Sequence, residues 1–262
     1  MSVVPLRRPR VPVAVTGLGG AGKTMLYDSL LGKVDLIDYR PKDRSDTVET
    51  HRTVIGTDSG KVRVKTIVVP GQWAGPKLDA FRRDFSESRM PSGVIHVVCW
   101  GYNRVWESYE RQAVLDDLAS TRGSGGVNLD VLRARNLDEE LEDFRETCVR
   151  LKDAWKGRRG VWLIIAVAKC DLFWPGRNLA RDYYIPATGR PASESRFCAV
   201  LRDLIGYVGE ANLQDVAIVP VSCFPETYIF DTGIEQRSDI EPPQISSLVG
   251  SLRSVVGEFC AR

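Results

Sequence analysis

The chain has 262 residues, of which 43% are hydrophobic and 27% charged, with 36 basic and 34 acidic side chains. This length and composition support one large globular domain or two small ones, and exclude a disordered, collagen-like or coiled-coil chain. The net charge of +2 gives no sign of a surface for nucleic acid or for an anionic membrane, so we expect no nucleic-acid partner.

The apolar runs and the cysteines bear on where the protein works. The longest apolar run, Val161–Ala168, is too short to cross a bilayer, and the first residues lack the hydrophobic segment of a signal peptide. The six cysteines are scattered without a C-x-x-C pair, which favours free thiols in a reducing compartment. We therefore expect a cytoplasmic protein with no integral membrane segment.

Apolar, β-branched runs alternate with helical patterns along the chain. This alternation predicts an α/β fold, with a mostly parallel six-stranded sheet flanked by helices. The predicted strands are Val11–Thr16, Thr50–Gly56, Val62–Val69, Val94–Trp100, Val161–Ala168 and Val216–Val221. Ser59-Gly60 lies between the second and third strands and is typical of a hairpin turn, so these two should form an antiparallel edge of the sheet.

Four segments have the residue spacing of helices. The clearest is Leu137–Lys156, in which Leu141, Phe144 and Cys148 recur at steps of three and four and give one apolar face. The other predicted helices are Met25–Leu31, Arg196–Val208 and a segment from about Gln244 to Phe259.

We expect a single domain over residues 1–262, with residues 1–10 as a flexible arm. Three stretches rich in Gly, Pro or polar residues look like insertions, near 101–135, 173–195 and 224–243. Loops of this length in a compact domain are usually functional or disordered, so a binding partner could be recognised there.

One motif carries specific chemistry. The segment from Gly17 to Thr24 reads G-x-x-x-x-G-K-[ST] and lies between a predicted strand and a predicted helix, which is the arrangement of a phosphate-binding loop. Its glycines let several backbone N–H groups face one anion, and the helix N-terminus adds a partial positive charge. The residues expected to bind the phosphates are Gly17, Gly19, Gly20, Ala21, Gly22, Lys23, Thr24 and Met25. Lys23 is placed for the β- and γ-phosphates, and the Thr24 hydroxyl for Mg²⁺. The motif predicts the fold of P-loop NTPases.

Further elements follow in the order found in Ras/Arf-like small GTPases, and together with the phosphate loop they make the chain resemble a divergent, prokaryotic member of that superfamily. The first is Val68-Val69-Pro70-Gly71-Gln72, where the family has D-x-x-G-Q. The resemblance implies that the Gly71 amide contacts the γ-phosphate and that Gln72 orients the attacking water. Val68 replaces the aspartate that holds a magnesium-bound water, so weaker Mg²⁺ binding is expected.

Two residues ahead of the second strand complete the implied catalytic set. Thr47 resembles the switch threonine that coordinates Mg²⁺ and senses the γ-phosphate, although Thr50 and Thr53 are close by and Thr47 could be an ordinary loop threonine. Arg44 has the spacing of the arginine that heterotrimeric Gα subunits supply in cis to the transition state, and the alternative is a solvated loop arginine.

The last two elements concern the nucleotide base. Ala168-Lys169-Cys170-Asp171 stands where the family has N-K-x-D, and Ser222-Cys223 where it has S-A. The resemblance implies that Asp171 accepts hydrogen bonds from guanine N1 and N2, that the Lys169 stem packs on the base, and that the Cys223 amide contacts O6. Ala168 lacks the asparagine that braces this loop in the family.

Three functions remain open at this point. The first is a GTP-binding, slowly GTP-hydrolysing switch that uses GTP/GDP and Mg²⁺ and controls a protein partner through its switch loops and insertions. The second is a catalytically weak relative that holds nucleotide as a scaffold, which the departures at Val68 and Ala168 favour. The third is a P-loop kinase, for which Arg177, Arg181 and Arg190 would form a phosphate lid.

Overall fold

A computed structural model describes residues 11–36, 49–57, 60–69, 90–103, 116, 117, 120, 129–185, 194–225, 227–231 and 234–262. Five residues to which the sequence assigned a role lie outside these ranges, namely Arg44, Thr47, Gly71, Gln72 and Arg190. Their predicted roles therefore stay predictions.

The structure has a six-stranded sheet with the strand order β2-β3-β1-β4-β5-β6. Its strands are β1 (Val11–Gly17), β2 (Glu49–Thr57), β3 (Gly60–Val68), β4 (Gly93–Val98), β5 (Val161–Val167) and β6 (Leu213–Pro220). Every neighbouring pair is parallel except β2 and β3, which form an antiparallel edge. The predicted α/β class, the sheet and its antiparallel edge are thus confirmed. A separate short hairpin joins β7 (Tyr228–Asp231) to β8 (Ile234–Gln236).

The helices of the described chain are α1 (Lys23–Leu30), α2 (Leu129–Trp155), α3 (Arg177–Tyr184), α4 (Arg196–Val208) and α5 (Pro242–Ala261). A 3₁₀ segment, Cys170–Gly176, precedes α3. The Ser195 hydroxyl caps α4 by accepting from the Cys198 N–H at 3.0 Å. Among the described residues, no helix combines the length and the low polarity needed to cross a membrane.

The stretches interpreted as insertions contain more regular structure than predicted. Helix α2 begins at Leu129, inside the stretch 101–135. The 3₁₀ segment and α3 fill much of 173–195. Ala180 and Tyr184, four residues apart, form the buried face of α3. Pro175 and Gly176, which are typical of loops, led to the interpretation of this stretch as an insertion. Within 224–243, Pro242 starts α5 instead of ending a loop, because a helix tolerates proline in its first turn.

Helices cover both faces of the central strands, whose residues in β4 and β5 are buried throughout. On one face, His96 of β4 meets Phe144 of α2, with ring centroids 4.8 Å apart. On the other face, Trp162 of β5 meets Phe259 of α5 at 5.7 Å. Trp162 is in register with Gly93, which lies three residues before His96 on β4. Because side chains alternate between the two faces of a strand, Trp162 and His96 point to opposite faces of the sheet. The ends of β1, β4, β5 and β6 lie between these layers.

Candidate functional site

The carboxyl ends of the parallel strands meet at one edge of the sheet, where the loops carrying the predicted site residues begin. Strand β1 has β3 as its neighbour on one side and β4, the next strand along the chain, on the other. The order of strands therefore reverses at β1. In open α/β sheets, ligands bind in the crevice at such a reversal. The loop that follows β1 is therefore the first place to look for a site.

This loop begins at a position that only glycine can occupy. Gly17 has a φ of +132°, and a Cβ atom there would lie 2.3 Å from the carbonyl oxygen of Val97. The missing side chain lets the loop pass directly over the end of β4. Gly22, with a φ of +94°, then turns the chain into α1.

The N-terminus of α1 is open. Its cap residue, Gly22, makes no side-chain hydrogen bond, and the first turn holds no acidic residue. An α-helix leaves its first N–H donors without a carbonyl partner in the helix, and in α1 these include the N–H groups of Thr24 and Met25. Those donors and the helix dipole favour an anion at this point.

The Lys23 ammonium group adds a full positive charge to the loop. Its Nζ donates to the carbonyl oxygens of Gly17, at 2.9 Å, and Leu18, at 3.0 Å, and the side chain is buried. The charge is thus fixed beside the open helix end and is not spread into solvent. Buried ammonium groups are worth more to an anion than exposed ones, because water screens them less.

The described residues do not form a dedicated metal site. No three His, Cys, Asp or Glu side chains in this part of the chain lie together as metal ligands. Val68 ends β3, is buried and pairs with Val15, so an apolar side chain stands where the resembled family has aspartate. Thr24, half-buried, begins α1 and fits a Mg²⁺ ion that arrives with phosphate oxygens, which is how Mg²⁺ commonly binds.

A buried carboxylate lies at the end of β5. Asp171 is 1% exposed, and its Oδ2 atom has no hydrogen-bond partner in the described chain. Burial raises the pKa of Asp171, while hydrogen bonds from the hydroxyls of Ser222 and Ser238 act in the opposite direction. A buried polar atom without a partner is costly, and such atoms mark places where a ligand can bind.

Lys169 holds the loop that carries Asp171. Its φ of +54° is unusual for a residue with a side chain, and its Nζ donates to the carbonyl oxygen of Tyr102 at 2.7 Å. The Cys170 N–H donates to the Val221 carbonyl at 3.3 Å, which ties this loop to the end of β6. Backbone strain of this kind is concentrated at ligand sites.

Ser222 and Cys223 follow β6 and are both buried. The Ser222 hydroxyl donates to the Phe224 carbonyl oxygen at 3.5 Å. Burial raises the pKa of the Cys223 thiol to about 12, which favours the protonated thiol at neutral pH. Contact between its amide and a base stays a prediction.

The Glu140 carboxylate of α2 holds the loop after β4. No motif in the sequence points to this residue. Glu140 Oε2 accepts from the Cys99 N–H at 2.8 Å and from the Tyr184 hydroxyl at 3.1 Å, and its Oε1 accepts from the Gly101 N–H at 2.5 Å. Burial raises the pKa of Glu140, and these donors lower it. Glu140 belongs to a stripe of buried polar residues on α2, Asn136, Glu140, Asp143 and Thr147.

Lys23 and Lys169 both affect the ionisation of Cys99, which follows β4. Burial, followed by Glu140, raises the pKa of the Cys99 thiol well above its usual range, while Lys169 and Lys23 lower it. Lys23 begins α1, after β1, and Lys169 follows β5. Strand β5 is two strands away from β1, a separation of roughly 10 Å that a nucleotide can bridge.

Two arginines of the phosphate lid considered for a kinase lie on α3 and not in a loop. Arg177 donates to the Trp174 carbonyl at 3.0 Å, and Arg181 pairs with Asp182 at 3.0 Å. Both arginines engage partners on or next to α3, at the surface.

An Asp171→Asn variant of the nucleotide-free protein should melt a few degrees higher than the wild-type chain at pH 7. Because the folded-state pKa of Asp171 is raised above 3.8, the stability penalty of its buried carboxylate grows as the pH rises above 3.8 and is complete once the pH exceeds the folded pKa. The gain should shrink as the pH falls toward 3.8. Thermal unfolding measured across pH tests this, with Asp182→Asn as the exposed control; a lower melting temperature for Asp171→Asn at pH 7 contradicts it.

No protein-family model matches the chain, and no curated protein matches its sequence. We therefore infer function from the residues at the carboxyl edge of the sheet.

Proposed function

We propose that the chain binds guanine nucleotides through a P-loop NTPase fold, hydrolyses GTP slowly and acts as a switch for a partner protein. The observation that carries this proposal is one sheet edge with two complementary features. The open N-terminus of α1 with the buried Lys23 ammonium suits phosphates. The buried Asp171 carboxylate with an unpartnered Oδ2 suits the hydrogen-bond donors of a base.

The phosphate end of the ligand would bind at the loop from Gly17 to Thr24. Backbone N–H groups and the helix dipole would face the phosphate oxygens, as they do in phosphate-binding loops. The Lys23 ammonium, now bonded to two loop carbonyls, would exchange or share those partners with the β- and γ-phosphates. Neutralising the charge of a triphosphate is the largest electrostatic task of such a site.

The base end would bind at Asp171. A carboxylate only accepts hydrogen bonds, and the N1–H and N2–H₂ groups of guanine are adjacent donors. Adenine presents an acceptor at N1, so the same carboxylate would repel it. The charged form of Asp171 is needed, and the hydroxyls of Ser222 and Ser238 support that form against burial.

Hydrolysis rests on the resemblance to Ras/Arf-like GTPases. Gln72 would orient the attacking water, Gly71 would contact the γ-phosphate, and Lys23 and Arg44 would offset the developing charge. Mg²⁺, held through Thr24 and Thr47 with the phosphate oxygens, would supply further positive charge at the β- and γ-phosphates. Turnover would be slow because this class gains much of its rate from a partner.

A nucleotide-holding scaffold is the second candidate, and the buried Val68 favours it because no carboxylate from β3 supports a metal-bound water. Phosphate release from GTP separates the two functions. The switch predicts slow release that Gln72→Leu abolishes. Tight GTP binding without release in the wild-type chain would establish the scaffold instead.

Base recognition is tested by replacing Asp171 with asparagine. Xanthine has a carbonyl at C2 where guanine has an amine, so the asparagine amide N–H₂ can donate to xanthine but has no acceptor opposite it in guanine. The Asp171→Asn variant should bind GTP about 10- to 100-fold more weakly than wild type and should prefer XTP.

Displacement of a fluorescent nucleotide by GTP, XTP and ATP measures both preferences. Asp182→Asn, the same change at an exposed aspartate of α3, should leave them unaltered. Unchanged GTP selectivity in Asp171→Asn would remove Asp171 from the base site.

A further inference from the structure

Two side chains of α2 hold both polar groups of the Gly101 backbone, in the loop after β4. The Gly101 N–H donates to Glu140 Oε1 at 2.5 Å, and the Gly101 carbonyl oxygen accepts from Asn136 Nδ2 at 2.6 Å. Asn136 and Glu140 are both buried, and because they lie four residues apart they share one face of α2. Any rotation of the backbone at Gly101 would therefore break a buried hydrogen bond, which is costly.

The hydroxyl group of Tyr184, on α3, extends this grip to the preceding residue of the loop. It accepts from the Trp100 N–H at 3.0 Å and donates to Glu140 Oε2 at 3.1 Å. We refer to Asn136, Glu140 and Tyr184 as the clamp. Since the clamp draws on two helices, it joins α2 and α3 to the carboxyl edge of the sheet.

The clamped loop ends at the carbonyl group that anchors Lys169. Tyr102 directly follows Gly101, and its N–H closes a turn by donating to the Cys99 carbonyl oxygen at 2.9 Å. The Tyr102 carbonyl oxygen accepts from Lys169 Nζ at 2.7 Å. Lys169 follows β5, so its stem crosses from the end of β5 to the loop after the neighbouring strand β4. Because β4 lies between β1 and β5, the stem runs from the base end of the proposed site toward its phosphate end.

Lys169 remains accessible where its neighbours are not. Ala168, Cys170 and Asp171 are buried, whereas Lys169 is half-buried. In the part of the chain that the structure describes, Trp100 and Lys169 are the non-glycine residues with a positive φ, at +48° and +54°. These two strained residues lie in the two loops that the Lys169–Tyr102 bond connects, and such strain is concentrated at ligand sites. An accessible aliphatic stem that is fixed at both ends is a surface on which a planar base can pack.

We propose that the clamp residues are positioning residues for nucleotide binding: they fix the Tyr102 carbonyl oxygen, and this oxygen fixes the Lys169 stem. The inference rests on the proposed function and adds that α2 and α3 set the nucleotide affinity without touching the nucleotide. Asn136 offers the sharpest test, because its Nδ2 supports the Gly101 carbonyl alone, whereas Glu140 accepts from several donors at once.

The test is a double-mutant cycle between Asn136→Ala and Lys169→Met, with GTP affinity measured by displacement of a fluorescent guanine nucleotide. Asn136→Ala should weaken GTP binding about 3- to 10-fold, as expected when one hydrogen bond is lost, and Lys169→Met should weaken it by a similar factor. Methionine keeps an unbranched stem but cannot donate to Tyr102, so adding Asn136→Ala to Lys169→Met should change the affinity less than about 2-fold. Asn178→Ala, at an exposed asparagine of α3, is the control and should have no effect in either background.

Each outcome decides the proposal. An equal loss from Asn136→Ala in both backgrounds would mean that Asn136 supports the fold and does not act through Lys169. Unchanged affinity in Asn136→Ala or in Lys169→Met would also overturn the inference, while leaving GTP binding by the wild-type chain intact. A wild-type chain with no affinity for guanine nucleotides would overturn both this inference and the proposed function.

A second clamp variant covers the case in which Asn136→Ala does not fold. Tyr184→Phe keeps the ring and removes the hydroxyl group that bonds to Glu140 and to the Trp100 N–H. GTP affinity should fall in the wild-type background and change less than about 2-fold in the Lys169→Met background. No loss, or the same loss in both backgrounds, overturns the proposal.

Discussion

The Lys23→Ala variant is expected to bind GTP about 10- to 100-fold more weakly than the wild-type chain, the loss that follows from removing charge-assisted hydrogen bonds. Lys23 supplies a buried positive charge to the phosphate loop, and its Nζ contacts the Gly17 and Leu18 carbonyls. Titration calorimetry or displacement of a fluorescent nucleotide measures the change. GTP should also raise the melting temperature of the variant less than that of the wild type.

Lys33→Ala is the control for this prediction, since Lys33 is exposed just beyond the end of α1. It should bind GTP as the wild-type chain does. The melting temperatures of both variants are also measured without nucleotide. A lowered melting temperature of Lys23→Ala would mean that lost contacts within the loop, and not lost phosphate contacts, explain a weaker affinity. If Lys23→Ala folds and binds GTP normally, the phosphate loop has no role in binding.

Replacing Glu140 by alanine is expected to lower the free energy of unfolding by about 3–5 kcal/mol, because several buried donors lose their acceptor together. These donors are the N–H groups of Cys99 and Gly101 and the Tyr184 hydroxyl. The backbone at Gly101 lies close to α2, since a Cβ atom there would be 2.6 Å from the Arg133 carbonyl oxygen. Denaturant unfolding measures the loss.

Two variants on the same helix sharpen the test. Glu142→Ala removes an exposed carboxylate that lies 3.3 Å from Arg145 and should change stability by less than about 0.5 kcal/mol. Glu140→Gln should fall between the two, because its amide nitrogen faces donors where a carboxylate oxygen faced them. Equal stability of Glu140→Ala and the wild type would show that the loop after β4 does not depend on this carboxylate.

The parts of the fold that could be predicted are those that depend on residues adjacent in the sequence. Strand β5 reads as a continuous apolar run because parallel central strands are buried on both faces, and β4 follows the same rule except for His96. His96 is buried, with Nδ1 3.0 Å from the Thr16 hydroxyl oxygen. The loop from Gly17 to Thr24 was equally accessible, since its geometry depends on neighbouring glycines.

The parts that could not be predicted depend on contacts between distant segments. Nothing in the residues around Asp239 indicates that its N–H meets the Asp171 carbonyl oxygen, because this bond forms only once residues 237–241 lie beside the 3₁₀ segment that follows β5. Glu140 gave a partial signal. It lies four residues before Phe144 on the apolar face of α2, where a charged residue is unexpected and needs a buried partner.

Displacement of a fluorescent guanine nucleotide from the purified chain by GTP, GDP and ATP, with and without Mg²⁺, decides whether the chain recognises guanine. GTP and GDP should compete far better than ATP, since Asp171 offers acceptors to guanine and repels the N1 acceptor of adenine. Equal competition by ATP, or a chain with no measurable affinity for the guanine nucleotide, would contradict it.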